Sequence, residues 1–402
     1  MFNAQTNDGG MTMKTGDQGL VKKINKSIVL SNIQTQSPIS RAQISKVTGL
    51  NKATVSSLVS ELIEEHLVDE IGAGLSSGGR KPMMLFFNQN AGYTIGIDLG
   101  VNYAFGVLTD LKGNVIQQDE VVITDTDEEI VFAQLKDLAQ MLIDKTPACP
   151  YGLVGIGIGV PGMINNEGVI LFAPNMDWHN VHLKQYMEQH FNVPITIENE
   201  AKAGAHGEKI YGAGRASSNL IYVSIGIGIG AGIIIEDKLY KGTSGISGEI
   251  GHFSIESNGR RCPCGNRGCW ELYSSEHALL EKTAPLFPDE KNVNLSFLIR
   301  QAEDGNPQVI NAFDQIGEYI GIGLTNIVNT FNPEQIIIGN RLARLEPWLR
   351  NPIQRVFKQR LLPYFQDSIA LTFTDRSKNS CALGSAAFSI EKFFATNKVT
   401  VV

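Results

Sequence analysis

The sequence predicts two unlike pieces: a small, mostly α winged helix-turn-helix head and a larger α/β body of two duplicated lobes. Three observations carry this. Residues 1–81 hold nine Lys/Arg against seven Asp/Glu, whereas the remainder holds 25 against 34. Apolar residues recur at helical spacing up to about residue 65, and from residue 91 short β-runs, glycines and intervening helices take over. Two similar strand–turn–strand segments recur 128 residues apart, counted from Asp98 to Gly226.

The 402 residues allow two or three domains at roughly 150 residues each. With 43% hydrophobic and 19% charged residues the chain is neither disordered nor collagenous and can build a large core. The longest apolar stretch, 223–235, is too short to span a membrane and carries four glycines. Residues 1–19 have no apolar core and no cleavage site, so a disordered tail is expected there, and with it a cytoplasmic location. The five cysteines are then expected to stay reduced.

In the head, Val21, Ile24, Ile28 and Ile33 predict a first helix over about 20–35. Ser40 with Gln43 forms a capping box for a short second helix carrying Ile44 and Val47. Gly49 follows where a left-handed residue is needed. Asn51 caps a third helix, in which Val55, Leu58, Val59, Leu62 and Ile63 form one apolar stripe. Two helices joined by a short turn with glycine make a helix-turn-helix. The other face of the third helix shows Lys52, Ala53, Thr54, Ser56, Ser57 and Ser60, short residues suited to base edges and phosphates. Glu61, Glu64, Glu65, Asp69 and Glu70 follow, so the N-terminal end is expected to enter a major groove. Strand-like 67–71 and 83–87 flank a Gly-rich tip ending in Arg80 and Lys81, a wing whose arginine suits a narrow minor groove. A solvated charged face is the competing reading of the charge, and a helical bundle with a decorative loop that of the head. The whole of 20–88 is assigned to this domain.

In the body, 93–99, Gly100 and 104–109 read as strand, turn, strand. Residues 221–225, the glycine run 226–232 and 233–235 read the same way. Two such hairpins suggest a duplicated lobe with a cleft between the copies. A single doubly wound domain also fits the pattern.

His252, Cys262, Cys264 and Cys269 fall within 18 residues. Three thiolates and an imidazole suit a closed, structural Zn²⁺ site, one per chain; buried free thiols or a redox pair are the alternatives. Cys149 and Cys381 read as ordinary core thiols.

Gly245-Ile246-Ser247-Gly248-Glu249-Ile250-Gly251-His252 followed by Cys262-Pro263-Cys264-Gly265-Asn266-Arg267-Gly268-Cys269-Trp270-Glu271 resembles the signature of the ROK family of repressors and sugar kinases. Gly159-Val160-Pro161-Gly162, Pro174-Asn175, Glu198-Asn199-Glu200-Ala201 and Asn332-Pro333-Glu334 with Ile336-Ile337-Ile338-Gly339 match its other motifs in order. With the winged head in front, the chain resembles ROK repressors of the Mlc, NagC and xylose-repressor type. The resemblance implies an actin-like, sugar-kinase fold, with one lobe over 91–198 plus 381–396 and the other, carrying the zinc loop, over 199–380. It makes zinc the expected occupant of the cysteine cluster. It also implies a sugar or sugar-phosphate effector held by Asn175, Asn199, Glu200, Glu249, His252 and Glu271.

Four departures from the kinase pattern argue against an enzyme. Glu200 stands where a family kinase has Asp. The hairpin Asp98-Leu99-Gly100-Val101-Asn102 replaces Asp-x-Gly-Gly-Thr. Ile227 replaces a Thr, and Gly339-Asn340-Arg341 lacks the glycine run. The expected function is therefore a repressor of carbohydrate genes, bound to near-palindromic operator DNA as a homodimer or homotetramer. An ATP-dependent sugar kinase with a DNA-binding head is the alternative. A phosphotransferase-system protein is a possible partner of the Mlc type, whose C-terminal end continues as an amphipathic helix; the β-branched residues near 402 do not extend one.

Overall fold

The computed structural model describes residues 18–73, 83–365, 369–374 and 379–396. They fall into two compact units, 1–91 with 391–402 and 92–390.

The smaller unit opens with α1 (Gln18–Gln36), β1 (Ile39–Ser40), α2 (Arg41–Thr48) and α3 (Lys52–Glu64). An antiparallel pair follows, β2 (Val68–Ala73) and β3 (Met83–Phe87), in a sheet ordered β1-β3-β2. Local chemistry sets the helix ends. Ser40 and Gln43 form the reciprocal capping box, Gly49 takes the left-handed conformation at φ 72°, and Asn51 accepts from the Thr54 amide. The core gathers Val29, Leu30 and Ile33 of α1, Ile44 of α2, and Val55, Leu58, Val59 and Leu62 of α3. Two expectations are corrected here. Val21 and Ile28 are 49% and 41% exposed, so the inward stripe of α1 is 29/30/33. Val47 is 58% exposed, because Ile44 alone anchors the short α2. The acids after α3 are also less free than the sequence suggests. Glu61 pairs with Lys22 at 2.8 Å, Glu65 with Lys26, and Glu70 with Arg41. Most of the expected tail and the wing tip, with Arg80 and Lys81, lie outside the described residues.

The larger unit contains two five-stranded sheets. The first is built from β4 (Tyr93–Leu99), β5 (Tyr103–Asp110), β6 (Val115–Val122), β7 (Leu153–Val160) and β11 (Ile195–Asn199). Between β7 and β11 lies a small antiparallel flap, β8 (Met163–Ile164), β9 (Ile170–Ala173) and β10 (Trp178–Val181). Helices α4 (Glu128–Ile143) and α5 (Leu183–His190) accompany this sheet, and α6 (Glu200–Tyr211) follows β11. The second sheet is β12 (Leu220–Ile225), β13 (Ile229–Ile235), β14 (Lys238–Tyr240), β15 (Gln335–Gly339) and β16 (Ala370–Phe373). Its helices are α7 (Glu271–Ser274), α8 (Glu276–Thr283), α9 (Leu295–Glu303), α10 (Pro307–Phe331) and α11 (Glu346–Arg360).

The strand orders are β6-β5-β4-β7-β11 and β14-β13-β12-β15-β16. Numbered within each sheet, both read 3-2-1-4-5, with an antiparallel hairpin leading into three parallel strands. The expected duplication is thus present strand for strand. Each sheet has its own core: β4 and β7 against Leu135, Leu138 and Leu142 of α4, and β12 and β15 against Phe313, Ile320 and Leu324 of α10. Each such side chain contributes about 1.5–3 kcal/mol on burial.

The glycine run 226–232 is not all turn, as the sequence suggested. Only 226–228 turn, and Gly230 and Gly232 belong to β13. The cause is close packing of α6, since a Cβ on Gly232 would meet the Ala201 carbonyl oxygen at 2.5 Å. The last helix, α12 (Ser380–Thr396), lies against the first sheet by the same device. A Cβ on Gly96 would stand 1.9 Å from the Ala382 carbonyl oxygen.

Candidate functional site

The turns of the two equivalent hairpins face one cavity. Gly100, Val101, Asn102 and Tyr103 line one side and Gly226, Ile227 and Gly228 the other, with Pro161, Asn175, Glu200, Asn340 and Arg341. Its volume is about 40 Å³. As it stands that is room for a few waters at roughly 10–15 Å³ each, so a sugar can enter only if the lining side chains move apart.

The β4–β5 side is filled from within. Asp98 is 4% exposed and accepts from the Tyr103 hydroxyl at 2.9 Å. The Tyr103 ring lies over Gly100, where a Cβ would meet it at 2.1 Å. Burial pushes the Asp98 carboxyl up to about 6, while hydrogen bonds from Cys381 and Tyr103 pull the other way. Cys381 is therefore a partner of Asp98 rather than an ordinary core thiol, while Cys149 is half-buried with its thiol 3.6 Å from the Gly152 carbonyl oxygen. Sequence reasoning missed Tyr103. Its signal was the two-residue alternation 103, 105, 107, which puts Tyr103 on the face of β5 that packs against Ala382 and Leu383.

Glu200 begins α6 at the cavity wall. Burial pushes its carboxyl up to about 8, and Asp98 adds to the rise. Ser224, hydrogen-bonded by Asn340 at 2.9 Å, stands 3.5 Å from Glu200. Asn199 is the N-cap of α6. Its Oδ1 accepts from the Ala201 and Lys202 amides, and its Nδ2 donates to the Gly162 carbonyl at 2.9 Å. That leaves one N–H at most for a ligand.

The other expected binding residues converge on the β12–β13 turn. A Cβ on Gly228 would lie 3.3 Å from Glu271 Oε2 and 3.9 Å from Asn175 Nδ2. Glu249 is close enough to raise the Glu200 carboxyl, and burial pushes its own carboxyl up. Glu271 Oε1 lies 3.4 Å from His252 Nδ1 and 3.3 Å from Cys262 Sγ. Gly228, Glu271 and His252 thus lead from the cavity to the cysteine cluster.

The donor atoms of His252, Cys262, Cys264 and Cys269 all lie within 4.8 Å of one another. Cys264 Sγ and Cys269 Sγ are 3.7 Å apart, as are Cys262 Sγ and His252 Nδ1. A zinc tetrahedron with bonds of about 2.3 Å has edges of about 3.8 Å. The four residues therefore fit a metal ion as they stand. Burial pushes the Cys262 and Cys269 thiols up, the opposite of what a bound cation does. The loop has a firm foot. Trp270, beside Cys269, is fully buried and donates to the Tyr319 carbonyl of α10 at 2.8 Å.

On the head, Lys52, Ala53, Ser56 and Ser57 are exposed along α3 and Thr54 is half-buried, opposite the buried Val55, Leu58 and Val59. No helix among the described residues is long and apolar enough to cross a membrane.

Residues 94–392 match the model of the ROK family. The chain is 48% identical over 381 residues to the xylose repressor of Bacillus spizizenii, covering 95% of this chain and 98% of that one. Among solved structures, a ROK family transcriptional regulator described as a homologue of the E. coli Mlc protein matches with a TM-score of 0.79 at 28% identity. That match covers 93% of this chain and 97% of the other. A ROK glucokinase from Streptomyces griseus, solved with glucose and AMPPNP, matches with a TM-score of 0.68 at 26% identity, covering 74% of this chain and 98% of its own. The chain belongs to the ROK family.

Proposed function

We propose that this protein is a DNA-binding transcriptional repressor of carbohydrate genes, controlled by a sugar held in the cleft of its larger unit. The observation that carries this is the extent of the likeness to a xylose repressor, which runs through the helix-turn-helix head as well as the body. Lys52, Ala53, Thr54, Ser56 and Ser57 face the DNA in this reading, with Arg80 and Lys81 assigned from sequence. A homodimer presents two heads to a near-palindromic operator.

Asn175, Glu200, Glu249, His252 and Glu271 hold the sugar, with Asn199 offering one N–H. Carboxylates accept paired hydroxyls, and the Asn175 amide both donates and accepts. Zn²⁺ at His252, Cys262, Cys264 and Cys269 neutralises the thiolates and cross-links the 252–269 loop. The His252 ring and Glu271 are thereby held at fixed separation.

The filled β4–β5 side supports a sensor over a kinase. Phosphoryl transfer needs backbone donors and a metal around the moving group. Here Tyr103 covers Gly100 and engages Asp98. Val101 adds a side chain to the same turn.

The test is operator binding by fluorescence anisotropy, using DNA from upstream of the chain's own gene, with and without D-xylose, D-glucose and their phosphates. One sugar should weaken binding at least tenfold, because it binds the DNA-incompetent state more tightly by about 1.4 kcal/mol. Failure to bind any such DNA, with sugar phosphorylation in an ATP-coupled assay, would establish the kinase alternative.

A further inference from the structure

We infer that Lys202 is a positioning residue of the effector site, its buried ammonium holding the loop that delivers Glu249. The inference rests on the sugar-binding reading above.

Lys202 is 1% exposed and among the largest fully buried side chains of the protein. Lysine is almost never fully buried without a partner. Its Nζ donates to the Gly245 carbonyl at 2.7 Å. Burial works against its charge and pulls its pKa down, Glu198 and Glu249 favour the charge, and Lys241 opposes it. Glu198 is itself paired with Lys241. Reciprocally, Lys202 is the largest influence that pulls the Glu249 carboxyl down against its burial.

Several bonds fix the loop before Glu249: Ser247 donates to the Tyr240 carbonyl at 2.7 Å and the Lys241 carbonyl at 3.3 Å, and two further anchors flank it. At Gly248 its carbonyl accepts from the Ala231 amide of β13 at 2.9 Å. At Gly245, where φ is 88°, the Lys202 side chain holds the carbonyl from one side. The β8–β9 turn closes the other side, since a Cβ there would meet Asn165 and Asn166 at 3.0 Å. Asn166 Nδ2 also donates to the Thr243 carbonyl at 3.1 Å. The first turn of α6 carries both Glu200 and Lys202. One ammonium thus ties the helix that places Glu200 to the loop that places Glu249, while the flap packs on the loop's other side. None of these contacts is made by a candidate metal ligand, although the Glu249 carbonyl at the loop's end accepts from the His252 amide at 3.2 Å.

The test compares full-length wild type with Lys202→Met, which keeps an unbranched apolar stem and removes the charge, and Lys202→Arg, which restores it. D-xylose and D-glucose are titrated by calorimetry, and each variant is melted without sugar. Lys202→Met should weaken the sugar that wild type binds at least tenfold while still melting cooperatively, and Lys202→Arg should recover most of that loss. Hydrogen exchange should rise at least tenfold over 242–249 in Lys202→Met and stay unchanged in β12. Sugar affinity within twofold of wild type in Lys202→Met would overturn the proposal. So would unchanged exchange over 242–249, a reading that also serves if the arginine variant does not fold. Should wild type bind neither sugar, the effector reading fails instead, and the exchange experiment, which needs no ligand, still decides the role of Lys202.

Discussion

The two hairpins that face each other across the larger unit have the same topology and different contents. In the β4–β5 copy the turn is occupied by its own side chains: Val101 projects from it, the Tyr103 ring lies on Gly100, and Asp98 is engaged by Tyr103 and Cys381. In the β12–β13 copy the turn is Gly226-Ile227-Gly228, and Glu271 and Asn175 approach it with polar atoms. Duplication therefore conserves where a turn stands, because sheet order and register set that, while the side chains decide what lines it: Val101 and Tyr103 at one turn, Ile227 with Asn340, Glu271 and Asn175 at the other. On the reading proposed above, a cleft with polar groups at one turn and a tyrosine ring laid over the other suits a sensor better than a phosphoryl-transfer site.

The largest way to break the contrast is to dismantle the support of the polar side. Cys264→Ser should lose the bound metal and cost about 4 kcal/mol or more, the range reached when a structural metal is lost. Metal analysis and thermal melting check it, and a stable wild type containing no metal would refute the site.

Next in size is Glu200. Its folded carboxyl is pushed up to about 8, well above the ordinary carboxylate value. A raised carboxyl contributes stability below its unfolded pKa, and that contribution is lost as pH rises through the folded value. Wild type should therefore lose stability between about pH 5 and 8, with Asp98, pushed up to about 6, acting in the same direction. Glu200→Gln should flatten the curve and be more stable than wild type at pH 9 by a few kcal/mol, on the order of 1.4 per pKa unit. Denaturant melts at pH 5, 7 and 9 measure this; parallel curves for the two proteins would count against it.

Tyr103→Phe tests the closed hairpin. Leaving buried Asp98 without that hydroxyl should cost about 1–3 kcal/mol. Turnover with ATP, Mg²⁺ and hexoses should stay below about 1 s⁻¹ in both proteins, the low end of ordinary enzymes. The open hairpin is tested by Gly228→Val. A Cβ there would stand 3.3 Å from Glu271 Oε2, so the end of that side chain must give slightly, and the new side chain would stand between Glu271 and Asn175. Sugar affinity should fall at least tenfold, about 1.4 kcal/mol, with the melting temperature nearly unchanged.

The smallest effect lies outside the cleft. Lys52→Ala should weaken operator binding several-fold and reduce the slope of log K against log[salt] by about one, the loss of a single phosphate contact. An unchanged slope would remove Lys52 from the DNA face.

Much of the molecule was legible because the responsible chemistry is local. The capping box at Ser40 and Gln43, the Asn51 cap and the left-handed Gly49 need only a few residues of chain, and each appears where the spacing puts it. The four candidate metal ligands lie within one short loop, and they converge. The repeat of two hairpins was legible for the same reason, since alternation and turn residues are short-range. Faces were read less well. Which side of α1 turns inward is set by α2 and α3, so Val21 and Ile28 look like core in the sequence and are exposed in the structure.

The sequence by itself determined the order of the elements, the helix ends, the two repeated hairpins and the family motifs, because each depends on residues close together in the chain. Only the tertiary structure decided how the cleft is filled. Tyr103 and Cys381 meet at Asp98, Lys202 reaches Gly245 across 43 residues, and Asn166 reaches Thr243 across 77. Apart from Tyr103, which reaches Asp98 within one hairpin, those partners are brought together by the packing of elements far apart in the chain. A buried polar group must find its hydrogen bond wherever the fold brings one, and no local pattern marks that partner in advance.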